Sequence, residues 1–193
     1  MLGGVLTRRA LVRSGFAGGA LLLTPALARG AAPDSDAAYL RLLIGVELLL
    51  GDFYGRALRS GRLDSGGATL LRQLRRDERA HYNGLAALVT SLGQTPATAG
   101  DIDFGYPAGA LASQRQILKH CAQLEALALG AYLGAAASVQ TQQLRLPIGQ
   151  IAANEAQHAS ALAQARGGNP VGRAFAPSLR IDAVSAALDA YES

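Results

Sequence analysis

The sequence predicts an all-α protein: a four-helix bundle with a long crossover between helices two and three, plus a short C-terminal helix. Three observations carry this expectation. Half of the 193 residues are hydrophobic, and most of these are Ala and Leu, both strong helix formers. Two Glu-x-x-His motifs, Glu78–His81 and Glu155–His158, each follow a lone glutamate at nearly equal distance, 31 residues after Glu47 and 30 after Glu125. Apolar residues recur at helical spacing around all four glutamates.

The first helix is expected to start near Ser35 or Asp36, both good N-caps, and to end before Gly61. Its inward stripe reads Leu40, Leu43, Glu47, Leu50, Tyr54 and Leu58. A second helix follows Asp64-Ser65 and runs to Gly93, with Leu71, Leu74, Glu78, His81, Leu85 and Leu88 on one face. The short link between them makes the two antiparallel neighbours. Residues 93–109 hold four Gly and two Pro without helical period, which is a long loop for a compact domain. It is explained if helices two and three run parallel, so that the chain must return along the bundle. The third helix is expected from Ala110 to Val139, with Leu118, Cys121, Glu125, Ala128 and Tyr132 inward. Gln140 to Arg145 reads as a turn, with Pro147 in the first turn of a fourth helix that stops at Gly167-Gly168. Ile148, Ile151, Glu155, His158 and Leu162 form its stripe. Ile181, Val184, Leu188 and Tyr191 suggest a short packing helix in the tail, residues 168–193.

Residues 1–28 have the pattern of a twin-arginine export signal: Thr7-Arg8-Arg9-Ala10-Leu11-Val12, an apolar run to Leu23, and a small-x-small site at Ala26-Leu27-Ala28. Residues 29–34 read as a linker and 35–167 as the bundle. The expected location is periplasmic or secreted, with no stable membrane anchor after cleavage. The formal charge of +4 shrinks to +1 without Arg8, Arg9 and Arg13, because 15 basic residues then face 14 acidic ones. No basic patch remains to suggest nucleic acid as a partner. Cys121 is the sole cysteine, so an internal disulfide and a four-cysteine metal site are both excluded. Its helical position suggests a core residue.

The chain has five glutamates and three histidines, and the repeat uses four and two of them. Glu and His at i, i+3 project from one helix face. Glu47, Glu78, His81, Glu125, Glu155 and His158 each fall near the middle of a helix and share its apolar stripe. Four carboxylates buried together cannot all stay ionised without counter-charge, and two divalent cations would supply it. Tyr54 follows Glu47 by seven residues and Tyr132 follows Glu125 by seven. Seven residues are two turns, so each tyrosine is expected beside the glutamate of its own helix. Gly51 and Gly55 are read as mirroring Gly130 and Gly134, for close helix approach or for room beside the site. His120 stands outside the pattern and reads as a surface or packing residue.

These residues resemble the ferritin-like di-iron or di-manganese carboxylate superfamily, over about residues 35–167. The resemblance implies two Fe ions, or two Mn ions, with Glu78 and Glu155 bridging, Glu47 and Glu125 terminal, and His81 and His158 capping one ion each. Two Glu-x-x-His motifs look more like bacterioferritin, manganese catalase or rubrerythrin than like typical ferritin. The single cysteine argues against rubrerythrin proper. Arg79, where bacterioferritin carries its haem-ligating methionine, argues against haem. The export signal and short tail look like exported ferritin-like proteins. By that resemblance the chain is an oxidoreductase acting on Fe(II) with dioxygen, or on hydrogen peroxide, with Tyr54 and Tyr132 as catalytic candidates. The other reading is a non-enzymatic metal-binding or structural protein that protects the cell envelope under stress. A homo-oligomer is a possible assembly.

Overall fold

The computed structural model describes residues 34–192. The export pattern in residues 1–28 and all of the linker except Asp34 lie outside the described residues. Among the described residues there are five helices: α1 (Asp34–Arg59), α2 (Ser65–Ser91), α3 (Gln114–Ser138), α4 (Gln142–Ala165) and α5 (Ile181–Asp189). The first four form the bundle, with α1 packed on α2, α3 on α4, and α1 on α3. The all-α expectation therefore stands, with the bundle and the short last helix in place.

Local chemistry sets the ends of the helices. Asp64 accepts from the Gly67 N–H at 2.7 Å and caps α2. The same carboxylate accepts from Gln114 Nε2 at 2.7 Å, while Gln114 Oε1 accepts from the Asp64 N–H. The starts of α2 and α3 are thus tied together at one end of the bundle. Gly93 (φ 73°) and Gly167 (φ 75°) lie just beyond α2 and α4 in the left-handed region, where a Cβ would cost energy.

Two boundaries differ from the sequence expectation. The third bundle helix begins at Gln114 rather than Ala110, because Ser113 supplies the cap by accepting from the Gln116 N–H. Before it, residues 107–112 make successive tight turns, Ala110 N–H to Pro107 and Ala112 N–H to Gly109. The fourth begins at Gln142, so residues 142–145 are helical and Pro147 lies inside the helix. Asp36 explains the short junction: its two carboxylate oxygens accept from the N–H groups of Gln140 (2.9 Å) and Thr141 (2.8 Å). The start of α1 thereby satisfies backbone donors at the α3–α4 turn that the local sequence leaves without a cap.

Contacts between helices fix their directions. On α1 and α3, Tyr54 meets Glu125 and Glu47 meets Tyr132, so these helices are antiparallel. Since α1 and α2 are also antiparallel neighbours, α2 and α3 run the same way. The chain must return along α2, whose 27 residues span about 40 Å. Residues 92–113 make that crossover. It is pinned by Tyr82 Oη donating to the Ala97 carbonyl (2.9 Å) and Tyr106 Oη donating to Asp52 (2.8 Å).

The core runs the length of the bundle, with Leu40, Leu43, Leu50, Leu71, Leu74, Leu85, Ile117, Leu124, Ile148 and Leu162 all buried. Leu58, Leu88 and Ile151, expected inward, are only partly covered. Cys121 is buried, and burial pushes its thiol pKa up, so it packs as a small apolar side chain. His120 sits among Phe53, Tyr106 and Tyr191, with ring centroids 4.6, 6.0 and 5.6 Å away. It is a packing residue that joins α3 to the crossover and the C-terminus. Past α4 the chain straps across α3, where the Leu179 N–H donates to the Gly130 carbonyl at 2.8 Å. A Cβ at Gly134 would overlap the Leu179 carbonyl, so this glycine is required by the close approach.

Candidate metal centre

Each bundle helix delivers its polar residues to the midpoint of an otherwise apolar stripe. Glu47 comes from α1, Glu78 and His81 from α2, Glu125 from α3, and Glu155 and His158 from α4. The four carboxylates are 0–2 % exposed, His158 is 3 % and His81 is 9 %. All six side chains expected from the sequence converge. They form two overlapping clusters, one of Glu47, Glu78, His81 and Glu155, the other of Glu78, Glu125, Glu155 and His158. Within each cluster, one ligand atom per residue lies within 4.8 Å of all the others. Glu78 and Glu155 are common to both.

Both imidazoles point Nδ1 at the carboxylates. His81 Nδ1 lies 3.0 Å from Glu155, 3.1 Å from Glu78 and 3.6 Å from Glu47. His158 Nδ1 lies 3.1 Å from Glu78, 3.4 Å from Glu125 and 3.5 Å from Glu155. The sequence reading missed what stands behind them. His81 Nε2 donates to Asn154 Oδ1 at 2.9 Å, and His158 Nε2 lies 3.5 Å from Asp77 Oδ2. Asn154 and Asp77 each immediately precede a motif glutamate, so each reaches the histidine of the other motif across the α2–α4 interface. The signal was present as an Asp/Asn at the residue before Glu in both halves. The Asn154 bond holds the far nitrogen of His81 and so fixes that ring's orientation and tautomer, whereas Asp77 approaches His158 without a hydrogen bond.

The tyrosines are placed differently from the sequence expectation. Tyr54 donates to Glu125 Oε1 and Tyr132 donates to Glu47 Oε1, each across the α1–α3 interface. Neither bonds the glutamate of its own helix. Both are fully buried. Burial first, then the facing carboxylate, raises each phenol well above its ordinary pKa, so both stay protonated as donors.

Charge explains the rest of the electrostatics. Burial raises Glu47 and Glu125 well above the usual carboxylate range, and the neighbouring carboxylates add to this. Burial would lower His81, but the facing carboxylates of Glu155, Glu47 and Glu78 outweigh it and push the imidazole up to about 12. His158 is raised in the same way by Glu125, Glu155 and Glu78. For Glu155 burial is outweighed by the two imidazoles, which hold it below its ordinary value. The opposed shifts on the imidazoles and on Glu47 and Glu125 mark a cluster whose buried charge is balanced within the site.

That balance still leaves polar atoms unsatisfied. Glu47 Oε2, Glu78 Oε1, Glu125 Oε2, both oxygens of Glu155 and both ring nitrogens of His158 are buried and lack a hydrogen bond. Several lie within 3.6 Å of an opposite charge, yet without hydrogen-bond geometry. They crowd together, with one ligand atom from each residue of a cluster within 4.8 Å of the others. Buried polar atoms without partners are rare and costly. The arrangement fits two cations with oxygen and imidazole ligands, and the cluster is able to hold metal.

The ferritin-like domain family matches residues 35–168 of this sequence. The chain belongs to that family. The match begins at the second residue of α1 and ends just past α4, so it takes in all four helices that carry the cluster. No curated protein sequence matches it. Among solved structures, a hypothetical protein of Methanococcus jannaschii DSM 2661 is similar in fold, with a TM-score of 0.59 at 11 % sequence identity. The alignment covers 89 % of this ferritin-like chain and 98 % of that one.

Proposed function

We propose that this ferritin-like protein is an exported two-metal oxidoreductase, which uses a pair of iron or manganese ions to react with dioxygen or hydrogen peroxide. The observation that carries this reading is the sharing of Glu78 and Glu155 between two four-residue clusters. Shared carboxylates suit two adjacent ions, with Glu47 and His81 completing one ligand set and Glu125 and His158 the other. Four carboxylates match the charge of two divalent cations with both imidazoles neutral. Carboxylate oxygen with imidazole suits iron and manganese better than softer metals. When bound, such a pair supplies redox and Lewis-acid chemistry.

The chain's own residues prepare the site. Tyr132 occupies Oε1 of Glu47 and leaves Oε2 facing His81, while Tyr54 occupies Oε1 of Glu125, the oxygen 3.4 Å from His158 Nδ1, and leaves Oε2 without a partner. Asn154 accepts the Nε2 proton of His81, leaving Nδ1 as the donor atom facing the carboxylates. The leucine layers around Leu74 and Leu85 exclude water, which strengthens each of these interactions. The proposed catalytic part of Tyr54 and Tyr132 is to hold a proton and a hydrogen bond on the cluster's own glutamates.

A second reading keeps the metal and drops the turnover. Both phenols are committed to carboxylates, which favours a positioning role for them and is equally suited to a structural metal site. Stopped-flow mixing of Fe(II)-loaded protein with peroxide or dioxygen separates the two. Oxidation faster than that of free Fe(II) in the same buffer is expected, and equal rates would favour the structural reading. The export half rests on Arg8 and Arg9. Replacing both with Lys is expected to leave unprocessed protein in the cytoplasm, and normal processing would point to another route.

A further inference from the structure

The two halves of the bundle are alike at the ligands and unlike beside them. Aligning Glu47 with Glu125 and Glu78 with Glu155 sets Gly51 and Gly55 against Leu129 and Leu133. It also sets Arg59, Arg75 and Arg79 against Ala137, Ala152 and Ala156. In the first half these five residues line a cleft of about 320 Å³ between α1 and α2 that reaches down to Glu47 and Glu78. That volume suits a small molecule. In the second half, Leu129 and Leu133 instead pack against the core.

The cleft has a built gradient. Arg59, Arg75 and Arg79 are exposed at its rim, whereas Glu47 and Glu78 at its floor are 2 % and 0 % exposed. Each of those glutamates carries an oxygen with no hydrogen-bond partner. Among the described residues the three arginines make no salt bridge, unlike neighbouring Arg56, which pairs with Asp52 at 2.8 Å. Asp52, also in the lining, is further occupied by the Tyr106 hydroxyl. Leu48 on α1, Tyr82 on α2 and Ala99 of the crossover add apolar surface to the lining. Gly51 keeps the passage open: a Cβ there would meet nothing within 4 Å. A mid-helix glycine costs about 1 kcal/mol against alanine, and no neighbour requires this one. Gly55 does have neighbours, since a Cβ would stand 3.3 Å from an Arg59 nitrogen and 3.6 Å from Arg75 Nε. Both guanidinium groups therefore lie against α1 at that turn.

We propose that this cleft binds a small organic carboxylate. Its anionic head sits on the arginine rim, where guanidinium matches carboxylate geometry, and its apolar body lies over Gly51 toward Glu47 and Glu78. Only the choice of which end faces the glutamates rests on the two-metal reading; the binding itself does not.

Calorimetric titration of the full chain at low salt, with hexanoate, hexanamide and inorganic phosphate, tests this. Hexanoate is expected to bind at least tenfold more tightly than either of the others. Arg75→Gln combined with Arg79→Gln should weaken it tenfold or more. Gly51→Leu, which writes the second half's residue into the first, should abolish it. Equal affinity for hexanoate and hexanamide, or phosphate bound as tightly as hexanoate, would overturn the proposal. So would hexanoate binding unchanged by the arginine pair or by a folded Gly51→Leu chain. Metal content measured on the same samples keeps the two readings apart. Protein that binds hexanoate but takes up no iron or manganese loses the metal reading alone, and protein that loads metal but ignores hexanoate loses the cleft alone.

Discussion

The Tyr54 hydroxyl donates to Glu125 on the facing helix α3, and the same bond recurs in reverse between Tyr132 and Glu47. Because α1 and α3 are antiparallel, a tyrosine two turns beyond its own glutamate arrives level with the other helix's glutamate. The two helices are thus stapled at the depth of the carboxylate–histidine cluster by two buried hydrogen bonds to its glutamates.

Removing either phenol strands a buried carboxylate oxygen. Tyr54→Phe and Tyr132→Phe are each expected to cost about 1–3 kcal/mol in urea unfolding, the range for a buried hydrogen bond to an ionisable group. Metal content should stay at two ions per chain while the rate of Fe(II) oxidation changes. Unaltered stability in both variants would show that the bonds are not formed in solution.

Glu78 and Glu155 belong to both clusters, whereas Glu47 and Glu125 belong to one each. Glu78→Ala and Glu155→Ala are therefore expected to abolish paired binding, and Glu47→Ala to spare one ion. His120→Ala should leave metal content unchanged, because His120 lies among Phe53, Tyr106 and Tyr191. Elemental analysis after loading with Fe(II) or Mn(II) reads all four. Loading should also raise Tm, since a ligand at a hundred times its Kd adds about 2.7 kcal/mol. Equal metal losses in the Glu78 and His120 variants would refute the ligand assignment.

Gly134 is in contact with the strap, and its substitution should act at a distance from the cluster. Gly134→Ala forces the Leu179 carbonyl to move. A destabilisation of about 1–3 kcal/mol is expected from overpacking, despite alanine's better helix propensity. Gly51→Ala, with nothing within 4 Å of the new Cβ, should instead be neutral or stabilising. Thermal unfolding of the two variants side by side checks the contrast.

Asp36 gives the fold an acid-sensitive joint. Burial alone would raise its carboxyl, but the N–H groups of Gln140 and Thr141, with Arg145 nearby, outweigh it and hold the pKa below 3.8. A depressed folded value means the stabilisation is fully present above the unfolded value and is lost as pH falls through the folded one. Asp36→Asn should therefore be less stable than wild type at pH 7 by about 1–2 kcal/mol. The gap should close as the pH falls below the ordinary aspartate value of 3.8 and through the lowered folded one. Urea titrations across that range measure it, and a gap independent of pH would exclude the carboxylate as its source.

The sequence alone determined the helices and the six residues that meet in the bundle. That information is local: Glu and His at i, i+3 share a face whatever surrounds them, and an apolar stripe at helical spacing says which face is inward. Gly61, Gly93 and Gly167 marked helix ends for the same reason. Only the tertiary structure decided which residues face one another across helices. It exchanged the tyrosine partners, because that depends on the antiparallel run of α1 and α3. It put Asn154 and Asp77 behind the histidines of the opposite motif, which no single helix reveals. It placed the start of α4 at Gln142, since the junction's donors are satisfied by Asp36, roughly a hundred residues earlier in the chain. It also separated two glycine pairs that look equivalent. Gly51 follows Glu47 by four residues and Gly130 follows Glu125 by five, and one residue turns a helix by about 100°. One pair therefore opens a cleft beside the cluster, while the other receives the chain's own strap.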